Sequence, residues 1–152
     1  WNAAAVTLAD ISEDAHDLSR LNASRLGLDR VRFLRSDLLD RVEGSFDLIV
    51  SNPPYIPSAE IATLSREVRQ DPQSALDGGA DGLDLVRRLL GDCRPFLHPQ
   101  GRLALELHHD QSQRVAELAE KLGYRAIEIR SDWSGIPRFV LATAPEPSPL
   151  AD

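Results

Sequence analysis

The chain has 152 residues, ordinary apolar content (42%) and a net charge of −7, so it is long enough for one packed domain and too apolar for global disorder. That acidity argues against a surface that wraps nucleic acid, though not against a small local contact, and the single Cys93 rules out an internal disulfide framework and fits a reducing cytoplasm. No apolar run reaches the roughly 20 residues of a membrane helix, and no basic-then-apolar start marks a signal peptide.

Read in chain order, "AVTLAD" (Ala5 to Asp10) is a short apolar run closed by an acid, the pattern of a buried strand. Ser12 is a good helix cap, acids follow it, and Gly27 sits where the helix should end. Ala15, Leu18, Leu21, Asn22 and Leu26 fall near one face of that helix. "VRFLRSD" (Val31 to Asp37) is a second strand. "FDLIV" (Phe46 to Val50) is a third, so continuously apolar that a central parallel strand is expected. Ser58 to Val68 reads as a short helix and "DPQSALDGGADG" as a loop. Leu83 to Leu97 carries Val86, Leu89, Leu90 and Cys93 at helical spacing. "RLALEL" (Arg102 to Leu107) is a fourth strand, and Gln111 to Leu122 a helix with a stripe at Val115, Leu118, Ala119 and Leu122. "YRAIEIR" and "RFVLATA" are the last strands, and their close succession predicts that the final one runs antiparallel. The pattern is α/β with a mostly parallel sheet. One domain is expected over 1–144, with a disordered tail at 145–152.

In open α/β sheets ligands sit at the carboxyl ends of strands. Three candidates fall there. Asp10 can accept both hydroxyls of a ribose, although a turn aspartate would look the same. Asp37 can accept from an adenine amino group, although a loop acid would again look the same. The third is "IVSNPPYIP" (Ile49 to Pro57). The Asn52 side chain offers an uncharged acceptor. Pro54 holds the chain extended, so the Pro53 carbonyl has no helical partner. Tyr55 offers a flat face. Together Asn52, Pro53, Pro54 and Tyr55 describe a slot for a planar carbon bearing an NH₂ group. An amide or aryl nitrogen is a poor nucleophile because its lone pair is delocalised. Two neutral acceptors on its protons favour the tetrahedral nitrogen needed for attack, without the desolvation cost of a carboxylate.

The Asn-Pro-Pro-Tyr run after an apolar strand resembles the amino-methyltransferases that use S-adenosyl-L-methionine. With "VTLADIS", "NASRLGL", "SDLLD", "EVRQDPQSALDGGADGLD" and "LALEL", the chain resembles the HemK/PrmC family, the glutamine methyltransferases of peptide chain release factors, from about Val6 to Ala142. The resemblance implies a Rossmann-like methyltransferase fold with the last strand antiparallel. It implies that Asp10 holds the ribose hydroxyls of S-adenosyl-L-methionine, that Asp37 and Leu38 flank the adenine, and that Ile11 is a further cofactor-binding residue. Asn52 would touch cofactor and substrate. Asn52, Pro53 and Tyr55 would carry the catalysis, and Asn52 to Tyr55 would hold the glutamine amide of a Gly-Gly-Gln loop. The implied partners are peptide chain release factors in the cytoplasm, with no membrane and no direct nucleic-acid binding.

Two features depart from that pattern. A glycine of the family is His108 here, in "LELHHDQ". Glu106, His108 and His109 invite a metal reading, but successive strand residues face opposite sides, so the two histidines are expected not to converge if the strand continues, and no metal is expected. Asp132, Gly135 and Arg138 keep the family spacing, while Trp133 is individual and reads as packing or substrate-side surface. The larger departure is that no GxGxG loop, and no strand before it, is found. The chain opens "WNAAAV" and contains no methionine, as expected of a fragment whose first strand and Gly-rich loop lie upstream. Weak or no cofactor binding by these residues alone is then expected. Two other readings stand beside this one: an amino-methyltransferase of ribosomal protein glutamine, rRNA guanine or DNA adenine, and a non-catalytic binding remnant.

Overall fold

The computed structural model describes residues 5–144, so the tail at 145–152 lies outside the described residues. They form two compact units, one ending at Gly44 and one starting at Ser45.

In the first unit, β1 (Val6–Asp10) and β2 (Val31–Arg35) pair in parallel, in register from Val6 with Val31 to Asp10 with Arg35. Helix α1 (Glu13–Arg25) makes the crossover between them. The Ser12 hydroxyl accepts the Ala15 amide at 3.3 Å, and Glu13 and Asp14 lie at the positive end of the helix dipole. The chain leaves the helix through Gly27, whose φ of +65° suits a residue without a Cβ. The buried residues of α1 are His16 and Ala23, while Leu18, Leu21 and Leu26 of the expected apolar face are exposed. The difference has a geometric cause. Two strands present a narrow face, and a 13-residue helix has more apolar stripe than that face can cover.

The second unit contains β3 (Phe46–Ser51), the single turn α2 (Gln73–Leu76), α3 (Asp84–Asp92), β4 (Leu97–Glu106), α4 (Ser112–Lys121), β5 (Arg125–Ser131) and β6 (Pro137–Thr143). Its sheet has the order β3-β4-β6-β5. β3 and β4 are parallel, and β6 is antiparallel to both of its neighbours, as the close spacing of the last two strands predicts. The strands are thus hydrogen-bonded in two separate sheets rather than in one. β3, expected at the centre, is a terminal strand, and its Leu48 and Val50 are exposed, Val50 by 70%. An apolar run marks a strand made for a covered position, and within its own sheet this one has a neighbour on one side only.

The segment expected as a helix at Ser58 to Val68 is a 3-10 turn over Ser58–Thr63 and a shorter one at Val68–Gln70. Pro57 and Pro72 bracket these short pieces. The core lies between α3, α4 and the sheet. Val86, Leu89, Leu90 and Cys93 face it from α3 and its end, Val115 and Ala119 from α4, and Val140 and Ala142 from β6. Along β4, Leu103 and Leu105 are buried, and Leu107 just beyond it keeps the same two-residue period. Each such leucine contributes roughly 1.5–3 kcal/mol relative to exposure. Tyr124 closes α4 and donates its hydroxyl to the Leu90 carbonyl at 2.9 Å, tying the two helices together. Among the described residues no helix is long and apolar enough to cross a membrane.

Candidate active site

In the first unit the parallel register carries Asp10 and Arg35 to the same end of the sheet, and the Ser36 amide donates to the Asp10 carbonyl at 2.9 Å. Asp10, Ile11, Asp37 and Leu38 therefore gather at the carboxyl end of two parallel strands. One Asp10 carboxylate oxygen accepts the Ser12 amide at 2.8 Å, the turn role that sequence alone could not separate from ligand binding. A carboxylate has room for about three further hydrogen bonds, so the turn role does not exhaust it. Ile11 is exposed. Leu38 adopts a left-handed φ of +46°, uncommon for a branched side chain, in a loop held by the Ser36 hydroxyl, which accepts the Arg41 amide at 3.0 Å. Beneath Asp10 lies a residue that sequence reasoning passed over. His16 is buried, and its Nε2 donates to the Asp10 carbonyl at 3.1 Å. A carbonyl only accepts, so the proton is on Nε2, and the buried Nδ1 has no partner among the described residues. This end of the two strands thus presents a half-buried carboxylate, an exposed isoleucine and a leucine held at positive φ.

In the second unit Asn52 to Tyr55 follows the carboxyl end of β3. Asn52 is exposed, Pro53 is buried, and Pro54 and Tyr55 are partly buried. The loop is held by the "DGGADG" segment. Ile56 and Asp77 form a parallel bridge in which the Ile56 amide donates to the Leu76 carbonyl at 3.0 Å and the Gly78 amide to the Ile56 carbonyl at 2.9 Å. The Ser58 hydroxyl donates to the Asp77 carboxylate at 2.6 Å and, with the Gly79 amide, holds that carboxyl below its usual range. Gly78 and Gly82 are glycines for want of space. A Cβ on Gly78 would lie 2.8 Å from the Pro54 carbonyl oxygen. A Cβ on Gly82, at φ +74°, would run into the Tyr55 carbonyl and come within 2.5 Å of Gln111 Nε2.

Gln111 is the residue that binds these parts together, and sequence reasoning did not single it out. It is 3% exposed. Its Nε2 donates to the Tyr55 carbonyl at 2.9 Å, with the Gly82 carbonyl at 3.4 Å, and its Oε1 accepts the His108 amide at 3.1 Å. One buried amide thus spans the loops after β3 and β4 and the glycine segment. Outside it, Asp81 accepts from Arg87 at 2.6 Å and Arg114 at 2.7 Å, and Arg87 foremost holds the Asp81 carboxyl far below the usual carboxylate range.

The expectation about the histidines is corrected. β4 ends at Glu106, so strand alternation no longer applies at 108 and 109, and the rings converge. His109 Nδ1 lies 3.2 Å from His108 Nε2, and His108 Nδ1 lies 2.8 Å from an Asp110 carboxylate oxygen. The His108 ring is tilted against Tyr55 with centroids 6.1 Å apart. Trp133 is fully exposed at the tip of the β5–β6 turn, so it does not pack against the described residues. The Asp132 carboxylate accepts from the Ser134 and Ile136 amides and from Arg138, so the Asp132, Gly135 and Arg138 spacing builds that turn.

Solved structures of similar fold include methyltransferases. A methyltransferase from Pyrococcus furiosus matches with a TM-score of 0.67 at 21% identity, over 91% of this chain and 62% of that one. An O-methyltransferase family protein from Burkholderia thailandensis matches at 0.61 and 15%, over 93% and 44%. The fold is thus α/β of the S-adenosylmethionine-methyltransferase type. Residues 2–79 match the methyltransferase small domain, and the chain belongs to that family. It is homologous to release factor glutamine methyltransferases: 45% identical to that of Deinococcus radiodurans over 91% of this chain and 49% of the relative, and 48% identical to that of Rhodospirillum rubrum over 93% and 44%. The chain spans about half the length of the curated relatives it matches.

Proposed function

We propose that this chain carries part of the catalytic domain, over residues 1–144, of a cytoplasmic methyltransferase. Its acceptor is the side-chain amide of glutamine in the Gly-Gly-Gln loop of peptide chain release factors. The observation that carries this reading is the Gln111 clamp, which fixes the backbone of Asn52 to Tyr55 and leaves the Asn52 side chain exposed. The Asn52 side-chain oxygen and the Pro53 carbonyl accept the two amide hydrogens of the glutamine. The Tyr55 ring lies against the amide plane and excludes water from one face. Alignment of the nitrogen is then most of the catalysis.

Asp10 and Ile11 hold the ribose of S-adenosyl-L-methionine, and Asp37 and Leu38 hold its adenine. When bound, that cofactor supplies an electrophilic methyl carbon. No glycine-rich turn of the GxGxG form occurs in the sequence, so this chain alone contributes only the nucleoside contacts and binds the cofactor weakly or not at all. Calorimetry on the chain tests that statement, and micromolar binding contradicts it.

The function is tested in a chimera in which this chain replaces the matching segment of the Deinococcus radiodurans relative. Transfer of labelled methyl to a release factor is expected, with none to its Gly-Gly-Ala variant. Asn52→Ala should lower kcat about 100-fold, the scale of losing one preorganised polar contact to a reacting group. A folded chimera that binds cofactor yet labels DNA adenine, or nothing, refutes the assignment.

A further inference from the structure

Between the end of β4 and the start of α4 the chain makes a tight turn fixed from inside. Gln111 Oε1 accepts the His108 amide at 3.1 Å, and the Gln111 amide returns to the His108 carbonyl at 3.2 Å. This anchored turn presents two imidazoles and a carboxylate side by side. One ligand atom from each of His108, His109 and Asp110 lies within 4.8 Å of the others.

The hydrogen bonds define which atoms are available. Asp110 accepts from His108 Nδ1 at 2.8 Å, so in the neutral ring the His108 proton is on Nδ1 and the lone pair is on Nε2. That lone pair points toward His109 Nδ1, 3.2 Å away. Two nitrogens that share one proton can share one cation. With metal–nitrogen bonds of about 2.1 Å, nitrogens at this spacing subtend about 100° at the ion, between the octahedral and tetrahedral angles. A carboxylate on the far nitrogen of a ligating histidine fixes its tautomer and raises its basicity. His109 and Asp110 are exposed and His108 is partly so, which leaves an entry path and room for water ligands.

We propose that His108, His109 and Asp110 form a site for a borderline divalent transition-metal ion of the zinc class. His108 Nε2 and His109 Nδ1 are the ligands, and Asp110 orients His108. Imidazole donors select zinc, nickel and copper over magnesium and calcium, which prefer oxygen shells. The His108 ring also contacts Tyr55, so occupancy fixes one wall beside the Asn52 to Tyr55 loop.

The test is calorimetric titration of the chain with zinc sulfate and, separately, magnesium chloride at neutral pH. One equivalent of zinc should bind with a micromolar Kd, and magnesium should not bind. His109→Ala, at an exposed position, should retain the circular dichroism of the parent and weaken zinc binding at least 30-fold. Asp110→Asn should weaken it about 10-fold, as loss of an outer-shell partner does. His98→Ala, on β4, should leave it unchanged. Absence of zinc binding below millimolar concentration overturns the proposal. So does equal affinity in the folded His109→Ala protein, or loss of binding in His98→Ala instead.

Discussion

Replacing Gly82 by alanine should damage this protein far more than its size suggests. Two costs meet there. The backbone at φ +74° disfavours any Cβ by about 1–2 kcal/mol. The new methyl occupies the space of the Tyr55 carbonyl and of Gln111 Nε2, and neither can rotate clear: one is backbone, and the other is buried with both ends of its amide bonded. Displacing Gln111 leaves buried polar groups without partners, at about 1–3 kcal/mol. The total is roughly 2–5 kcal/mol. Gly91 in α3 supplies the control, because a Cβ there meets nothing within 4 Å. Alanine at that position should stabilise by up to about 1 kcal/mol through helix propensity. Urea unfolding of both variants measures the contrast. Combining Gly82→Ala with Gln111→Ala should cost less than the sum of the two, since they break the same contact. A Gly82→Ala protein within about 0.5 kcal/mol of the parent, or strict additivity with Gln111→Ala, refutes the clamp.

Three further outcomes follow from buried or paired groups. Cys93 is fully buried, and burial pushes its thiol up to about 12. Alkylation by iodoacetamide at pH 8 should therefore be at least 100-fold slower in the native chain than in urea, and comparable rates would contradict the packing. Tyr124→Phe should cost about 1 kcal/mol by removing a buried hydrogen bond to Leu90, and an unchanged urea midpoint would argue against that bond. Asp81→Asn should destabilise at neutral pH. The folded Asp81 carboxyl is held below its ordinary value, so its contribution is complete above the unfolded value near pH 4 and fades as the pH falls toward the lower folded one. The gap between variant and parent should thus be constant from about pH 5 to 8 and narrow in acid, and a gap that widens in acid would reverse the sign of the argument.

The strand ends and the loop at Asn52 were legible because each depends on short-range pattern. An apolar run closed by Asp10, a serine cap at Ser12 and two prolines after Asn52 act locally, whatever the rest of the chain does. Leu48, Val50, Leu18 and Leu21 were misread because burial depends on what lies alongside, and periodicity shows only which face wants cover. The histidines were misjudged for a different reason: alternation holds only while a strand lasts, and this one stops two residues before His108. Gln111 left no trace, since a polar residue ahead of a helix reads as solvated. Only its contacts, 56 positions away in sequence at Tyr55, reveal it. The glycines of "DGGADG" were visible as a loop, but the reason for them is the backbone they lie against.

The shared amide of Gln111 has a consequence for anyone transplanting the Asn-Pro-Pro-Tyr loop. Its shape is not a property of four residues. Grafted onto another sheet without the two cramped glycines and the buried glutamine, it would keep its prolines and lose its aim, so the smallest portable unit is the trio of segments moved together.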